Sequence, residues 1–181
     1  EVRPGSAWAL VTGAGSGIGR CYALRLAALG YRLVIVGNNA APLEAVAGEI
    51  RRAAGANASA SFPEVRVMPM DLARVGAAQE LHDRTAAEGI EIDVVINNAG
   101  IFSFCDILTT PAERIERIIL LHDLTVSQLC RLYAADMVRR GVRGHILNMS
   151  SYSLWMPFPG LALYSASKSY LRGFSVAFAK E

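Results

Sequence analysis

The chain of 181 residues has few cysteines, little charge imbalance and no long apolar run, and each shortage removes a class of protein. Three cysteines, Cys21, Cys105 and Cys130, are an odd number without metal-ligand spacing, so neither a disulfide framework nor a metal site is expected. They read as reduced, structural thiols of a cytoplasmic protein, at least two of them in apolar surroundings. Lys and Arg number 18 against 16 Asp and Glu, a formal net charge of +2, and they are scattered along the chain. Nothing resembles a nucleic-acid footprint, and no nucleic-acid partner is expected. The one tight basic group, Arg139, Arg140 and Arg143, follows a helical stretch, where cations complement a helix C-terminus. No apolar run reaches the roughly 18 residues of a membrane span, and Glu1 to Ser6 has no signal-peptide core. The expectation is a protein with neither a secretory nor a membrane address.

What is present is apolar and alternating. A hydrophobic content of 52 % supplies a sizeable core for one domain over residues 1–181. The small-residue connection Gly55 to Ser61 is too short to link domains, and no internal repeat appears. Strands are expected at Trp8–Thr12, Arg32–Val36, Glu64–Met68, Asp93–Asn97 and His145–Met149, with helical periodicity between them. Continuous apolar runs such as Leu33-Val34-Ile35-Val36 fit parallel strands buried on both faces, so the pattern predicts a doubly wound α/β sheet. A single helix is expected from Pro111 to Arg140 with Thr110 as its N-cap. Another is expected from near Leu161 to the end of the chain.

Chemistry concentrates at the expected strand ends. Thr12-Gly13-Ala14-Gly15-Ser16-Gly17-Ile18-Gly19 lies where the first strand turns into the first helix. Glycines there let the backbone approach a pyrophosphate, and a helix N-terminus offers it free N–H groups. Taken alone, the cluster fits either a nucleotide-binding turn or a packing turn. Asn97-Asn98-Ala99-Gly100 closes the fourth strand at the edge where open α/β sheets bind ligands, and reads equally as a polar turn. Asp71 follows the third strand, as an acceptor for an adenine amine or as a solvated loop residue. Tyr164 and Lys168 are four residues apart and share a helix face. A cation there favours the phenolate and equips the hydroxyl to exchange a proton with an alcohol or ketone. Ser151, thirteen residues before Tyr164, would add a donor to the same substrate oxygen.

In order and spacing these elements, T-G-x-x-x-G-x-G, N-N-A-G, the serine and Y-x-x-x-K, resemble the short-chain dehydrogenase/reductase family from about Ala7 onward. The resemblance implies a Rossmann-type fold and an NAD(P)-dependent oxidoreductase that interconverts a ketone or aldehyde and an alcohol. It implies that Tyr164 is the general acid or base, that Lys168 holds the nicotinamide ribose, and that Ser151 orients the carbonyl. Cofactor contacts would fall on Gly13, Ser16, Gly17, Ile18, Gly19, Asn38, Asp71, Leu72, Asn98, Ala99, Gly100, Tyr164 and Lys168. The family commonly has a further relay asparagine before the fifth strand. Counting back from Ser151, that place is taken here by Asp123, or by His122 with one extra residue in the Arg139–Gly144 turn. Homo-oligomers form in relatives through the helices matching Pro111–Arg140 and Leu161–Lys180.

At the end of the second strand Gly37 and Asn38 lack the acidic residue of NAD-preferring relatives, so NADP is expected, with NAD as the alternative. Between Ser151 and Tyr164, the uncharged stretch with Trp155, Met156, Phe158 and Leu161 predicts an apolar wall for a lipophilic ketone or alcohol, or a packing surface. Relatives continue past the tyrosine helix with further strands, so the expectation is a domain incomplete at its C-terminus, with one sheet edge open. The competing class is a nucleotide-binding protein of the same fold that acts as a sensor or scaffold without turnover.

Overall fold

The computed structural model describes residues 5–55, 64–156 and 158–181, so the Gly55–Ser61 connection beyond Gly55 lies outside the described residues. Five apolar runs form strands: β1 (Trp8–Thr12), β2 (Arg32–Gly37), β3 (Val65–Pro69), β4 (Ile92–Asn97) and β5 (His145–Asn148). All neighbours are parallel, in the order β3-β2-β1-β4-β5. The chain winds outward from β1 to β3 and then crosses back to place β4 beside β1. At that reversal the loops leaving β1 and β4 part, and a crevice opens at their carboxyl ends.

Among the described residues six α-helices flank the strands: α1 (Gly17–Ala28), α2 (Ala40–Gly55), α3 (Ala77–Ala87), α4 (Ala112–Ile119), α5 (Val126–Arg139) and α6 (Ala162–Phe178). Successive strand side chains point to opposite faces, which divides the core in two. Ala9, Val11, Leu33, Ile35, Val94 and Ile96 pack with Leu43, Val46 and Ile50 of α2 and Ala23 of α1. Leu10, Val34, Val36 and Val95 meet Leu81 of α3 and Leu129, Tyr133 and Met137 of α5. The doubly wound α/β sheet expected from the alternation, of the Rossmann type that the resemblance implies, is the observed architecture.

The differences are local and have physical causes. β3 starts one residue late, at Val65, and runs to Pro69, which an edge strand tolerates because the missing N–H takes no ladder partner. The long helix expected from Pro111 is interrupted: α4 gives way to a π-helical turn at Leu120–Thr125 before α5 begins. Thr110 is not its cap. The Thr110 hydroxyl donates to the Asp106 carbonyl at 2.8 Å, and Pro111 becomes the boundary residue. Cys21 and Cys105 are exposed and only Cys130 is buried, against the expectation of two or more apolar sites. Arg140, expected to complement the end of α5, instead reaches Asp93 Oδ1 at 2.8 Å and the Ile92 carbonyl at 2.6 Å, tying α5 to the start of β4. β5 ends the sheet, and its His145 and Leu147 are exposed. Among the described residues no helix is long and apolar enough to cross a membrane, and no cluster of His, Cys, Asp and Glu suits a metal ion.

Candidate active site

The glycine turn after β1 is built by close approach. Gly13 has φ +65°, and a Cβ there would lie 2.8 Å from Asn98 Nδ2 and 2.9 Å from Ala99 Cα. A Cβ on Gly19 would overlap the Gly13 carbonyl, so α1 packs directly on the turn it follows. Thr12 anchors the arrangement: its Oγ1 accepts the N–H groups of Asn98 and Ala99, both at 3.0 Å. The Asn98 amide donates to the carbonyls of Thr12 and Gly13 at 3.0 and 3.3 Å. Asn98 thus holds the glycine turn to the N-N-A-G loop. Ser16 caps α1 in extended conformation without a side-chain bond, leaving the first N–H groups of the helix uncapped by side chains.

These loops enclose a cleft of about 400 Å³. Of the residues expected to contact a cofactor, Gly13, Ser16, Gly17, Ile18, Asn38, Asp71, Leu72, Asn98, Ala99 and Gly100 line it. Gly19 lies beneath the turn rather than on the cleft surface. Arg117 of α4 also lines the cleft and was not foreseen. Its guanidinium donates to both carboxylate oxygens of Asp71, at 2.9 and 3.3 Å, and holds that carboxyl below its usual range. The two residues are 46 positions apart, so no local pattern signals the pair.

Tyr164 and Lys168 stand one turn apart on α6, beyond the Gly100 end of the cleft. Lys168 is buried, 4 % exposed, and its Nζ donates to the Met149 carbonyl at 2.9 Å. That nitrogen would be 3.7 Å from a Cβ on Gly100 and is 5.7 Å from the centroid of the Tyr164 ring. Burial draws the ammonium down to about 8, with Asp123 opposing the shift. The Ser150 hydroxyl is spent on the Lys168 carbonyl at 3.0 Å. Ser151 Oγ accepts the Ser153 N–H at 3.2 Å, which leaves its own proton to donate.

Of the two residues at the relay position, His122 faces the site. It is fully buried, and its Nε2 accepts the Ile101 N–H at 2.9 Å. Burial, with a smaller push from Lys168, lowers its imidazolium to about 3. Asp123 has one buried carboxylate oxygen without a hydrogen-bond partner among the described residues, and burial raises its carboxyl to about 6.

One apolar side chain touches the tyrosine, and others stand exposed on the loops after β4 and β5. Phe102 meets the Tyr164 ring edge-on at 5.1 Å and is itself 64 % exposed. Trp155 and Phe158, from the stretch singled out in the sequence, are exposed as well. The Arg172 guanidinium lies over the Trp155 ring at 4.7 Å. The loop after β4 contributes Phe104 and Leu108, and is pinned to the second stretch by the Cys105 N–H donating to the Gly160 carbonyl at 2.8 Å.

The short chain dehydrogenase family profile matches residues 7–181, and the chain belongs to that family. A very-long-chain 3-oxoacyl-CoA reductase from Pyrenophora tritici-repentis is 33 % identical over 180 residues, covering 98 % of this chain and 51 % of the relative. The chain therefore spans about half the length of the curated relatives it matches. The bulky-bulky ketone specific alcohol dehydrogenase from Comamonas testosteroni superposes with a TM-score of 0.85 at 28 % identity, over 96 % of this chain and 66 % of that one. A metagenomic short-chain oxidoreductase in complex with NADP superposes with a TM-score of 0.84 at 31 % identity, over 98 % and 76 %.

Proposed function

We propose that the protein reduces a lipophilic ketone to a secondary alcohol with NADPH. The observation that carries the reading is the junction at Gly100, where the buried Lys168 ammonium approaches the cleft on one side and the Tyr164 ring on the other. The cleft fits a dinucleotide: Gly17 lines it at φ +53° with open space where a Cβ would stand, and the start of α1 would present backbone N–H groups to a pyrophosphate. When bound, the nicotinamide supplies the hydride. Tyr164 gives its phenolic proton to the carbonyl oxygen as the alcohol forms, while the Ser151 hydroxyl donates to that oxygen and orients it. The Lys168 ammonium would hold ribose hydroxyls of the bound cofactor and would stabilise the phenolate left behind. Preference for NADPH rests on Gly37 and Asn38, which line the cleft without a carboxylate to repel a 2′-phosphate.

A substrate with large apolar substituents would suit the exposed side chains of Phe102, Trp155 and Phe158. The names of two relatives, one a reductase of very-long-chain 3-oxoacyl-CoA and one an alcohol dehydrogenase for bulky-bulky ketones, support a carbonyl compound of that kind. The test is Tyr164→Phe in the full-length protein. Turnover of a bulky aryl ketone should fall by about a thousand-fold or more, a general-acid contribution near the upper part of the usual range, while NADPH affinity is kept. Unchanged turnover would remove Tyr164 from the chemistry, and absence of turnover in the parent would favour a binding protein without catalysis.

A further inference from the structure

His122 stands where the family resemblance leads one to look for an asparagine, and its imidazole does more than an asparagine can. Both ring nitrogens are engaged in a fully buried position. Nε2 faces the Ile101 N–H at 2.9 Å, and an amide can only donate, so Nε2 carries a lone pair. In a neutral ring the proton is then on Nδ1, which lies 2.8 Å from Ser167 Oγ. Ser167 in turn donates its hydroxyl proton to the Tyr164 carbonyl at 2.8 Å. The three bonds run in one direction, from the loop after β4, through the imidazole and the serine, to the first turn of α6. Protonating the ring would set a second N–H against that of Ile101, and burial beside the Lys168 ammonium disfavours it.

Two features of the backbone serve this chain of bonds. The π-helical turn Leu120–Thr125 carries His122, in a conformation that recurs at functional sites. Gly100 supplies the space: a Cβ there would press on Nε2 at 3.2 Å. The rings of His122 and Tyr164 are then 5.9 Å apart, edge to face.

We infer that His122, fixed as the neutral Nδ1–H tautomer, is a positioning residue that locks the backbone of Tyr164 to the Gly100–Ile101 end of the cleft. The inference rests on the reductase reading for its kinetic consequence, but the lock itself does not. Because asparagine and glutamine each match one ring nitrogen, two variants separate its halves. His122→Asn keeps a donor near the Nδ1 place, and His122→Gln keeps an acceptor near the Nε2 place.

The test is ring nitrogen-15 NMR of the full-length protein, with His82 and His145 assigned by substitution, combined with steady-state kinetics of Ser167→Ala and His122→Gln. The expected spectrum is an Nδ1–H tautomer that does not titrate between about pH 5 and about pH 8. Ser167→Ala and His122→Gln should each lower kcat by about ten- to a hundred-fold, the scale of a small misplacement of a reacting group, with KM for the ketone and Kd for NADPH within about two-fold of the parent. An Nε2–H tautomer, a ring that titrates in that range, or an unchanged kcat in both variants would overturn the lock. A parent protein with no turnover would refute the reductase reading instead, and the tautomer would still decide the inference.

Discussion

Acidification should weaken this protein through His122 in a way a single substitution can isolate. The imidazole titrates at about 3 in the fold, against about 6.5 in the unfolded chain. Between those values the unfolded state binds the proton and the folded state does not, so stability is full above about pH 6.5 and is lost as pH falls. Integrated from about pH 7 to about pH 5, the linkage amounts to about 2 kcal/mol. For a chain of this size that is a fall in Tm of about 4–8 °C. Asp123 acts with the opposite sign. Its carboxyl is raised to about 6 from 3.8, so the folded state binds the extra proton in that window, and acidification there favours the fold. The two neighbours partly cancel in the parent, and variants separate them. Urea unfolding at several pH values should show a shallower acid loss in His122→Gln than in the parent, by about 2 kcal/mol between about pH 7 and about pH 5, and a steeper one in Asp123→Asn. Parallel curves for the parent and His122→Gln would refute the neutral buried imidazole.

Two further outcomes follow from the same geometry. Thr12→Ala removes the acceptor of two backbone N–H groups and should cost about 2–4 kcal/mol with loss of NADPH affinity, whereas Thr12→Ser restores both; calorimetry and nucleotide titration check this. Lys168→Met removes an ammonium that burial has drawn down to about 8, so thermal unfolding at neutral pH should show stability raised by up to about 3 kcal/mol while turnover is lost. A destabilised Lys168→Met variant would contradict the burial cost assigned to the lysine.

Much of this arrangement is legible in the sequence because it is written in local pattern. The run Leu33-Val34-Ile35-Val36 declares a strand buried on both faces, and it is one. The glycine turn, N-N-A-G and the Tyr164–Lys168 pair each sit on the strand end or helix that the alternation assigns them. Features that depend on distant partners are not legible. Arg117 meets Asp71 only because α4 folds over the end of β3, and the Asn98 amide finds the Thr12 and Gly13 carbonyls across two parallel strands. The π-helical turn at Leu120–Thr125 has no residue signature comparable to a glycine turn or a proline, so nothing in the local pattern announces it. Counting back from Ser151 leaves His122 and Asp123 as alternatives because it depends on one extra residue in the Arg139–Gly144 turn, and only the fold brings the imidazole to Ile101 and Ser167. Thr110 misleads because a hydroxyl able to cap a helix is equally able to close the Asp106 turn.

Direct hydride transfer within this cleft is tested by isotope transfer. With the full-length protein, NADPH carrying deuterium at the transferable ring position and a bulky aryl ketone, the alcohol product should contain one deuterium on its carbinol carbon by mass spectrometry. Binding of NADPH without deuterium in any alcohol, across a panel of lipophilic ketones, would contradict the account and leave a nucleotide-binding protein in its place.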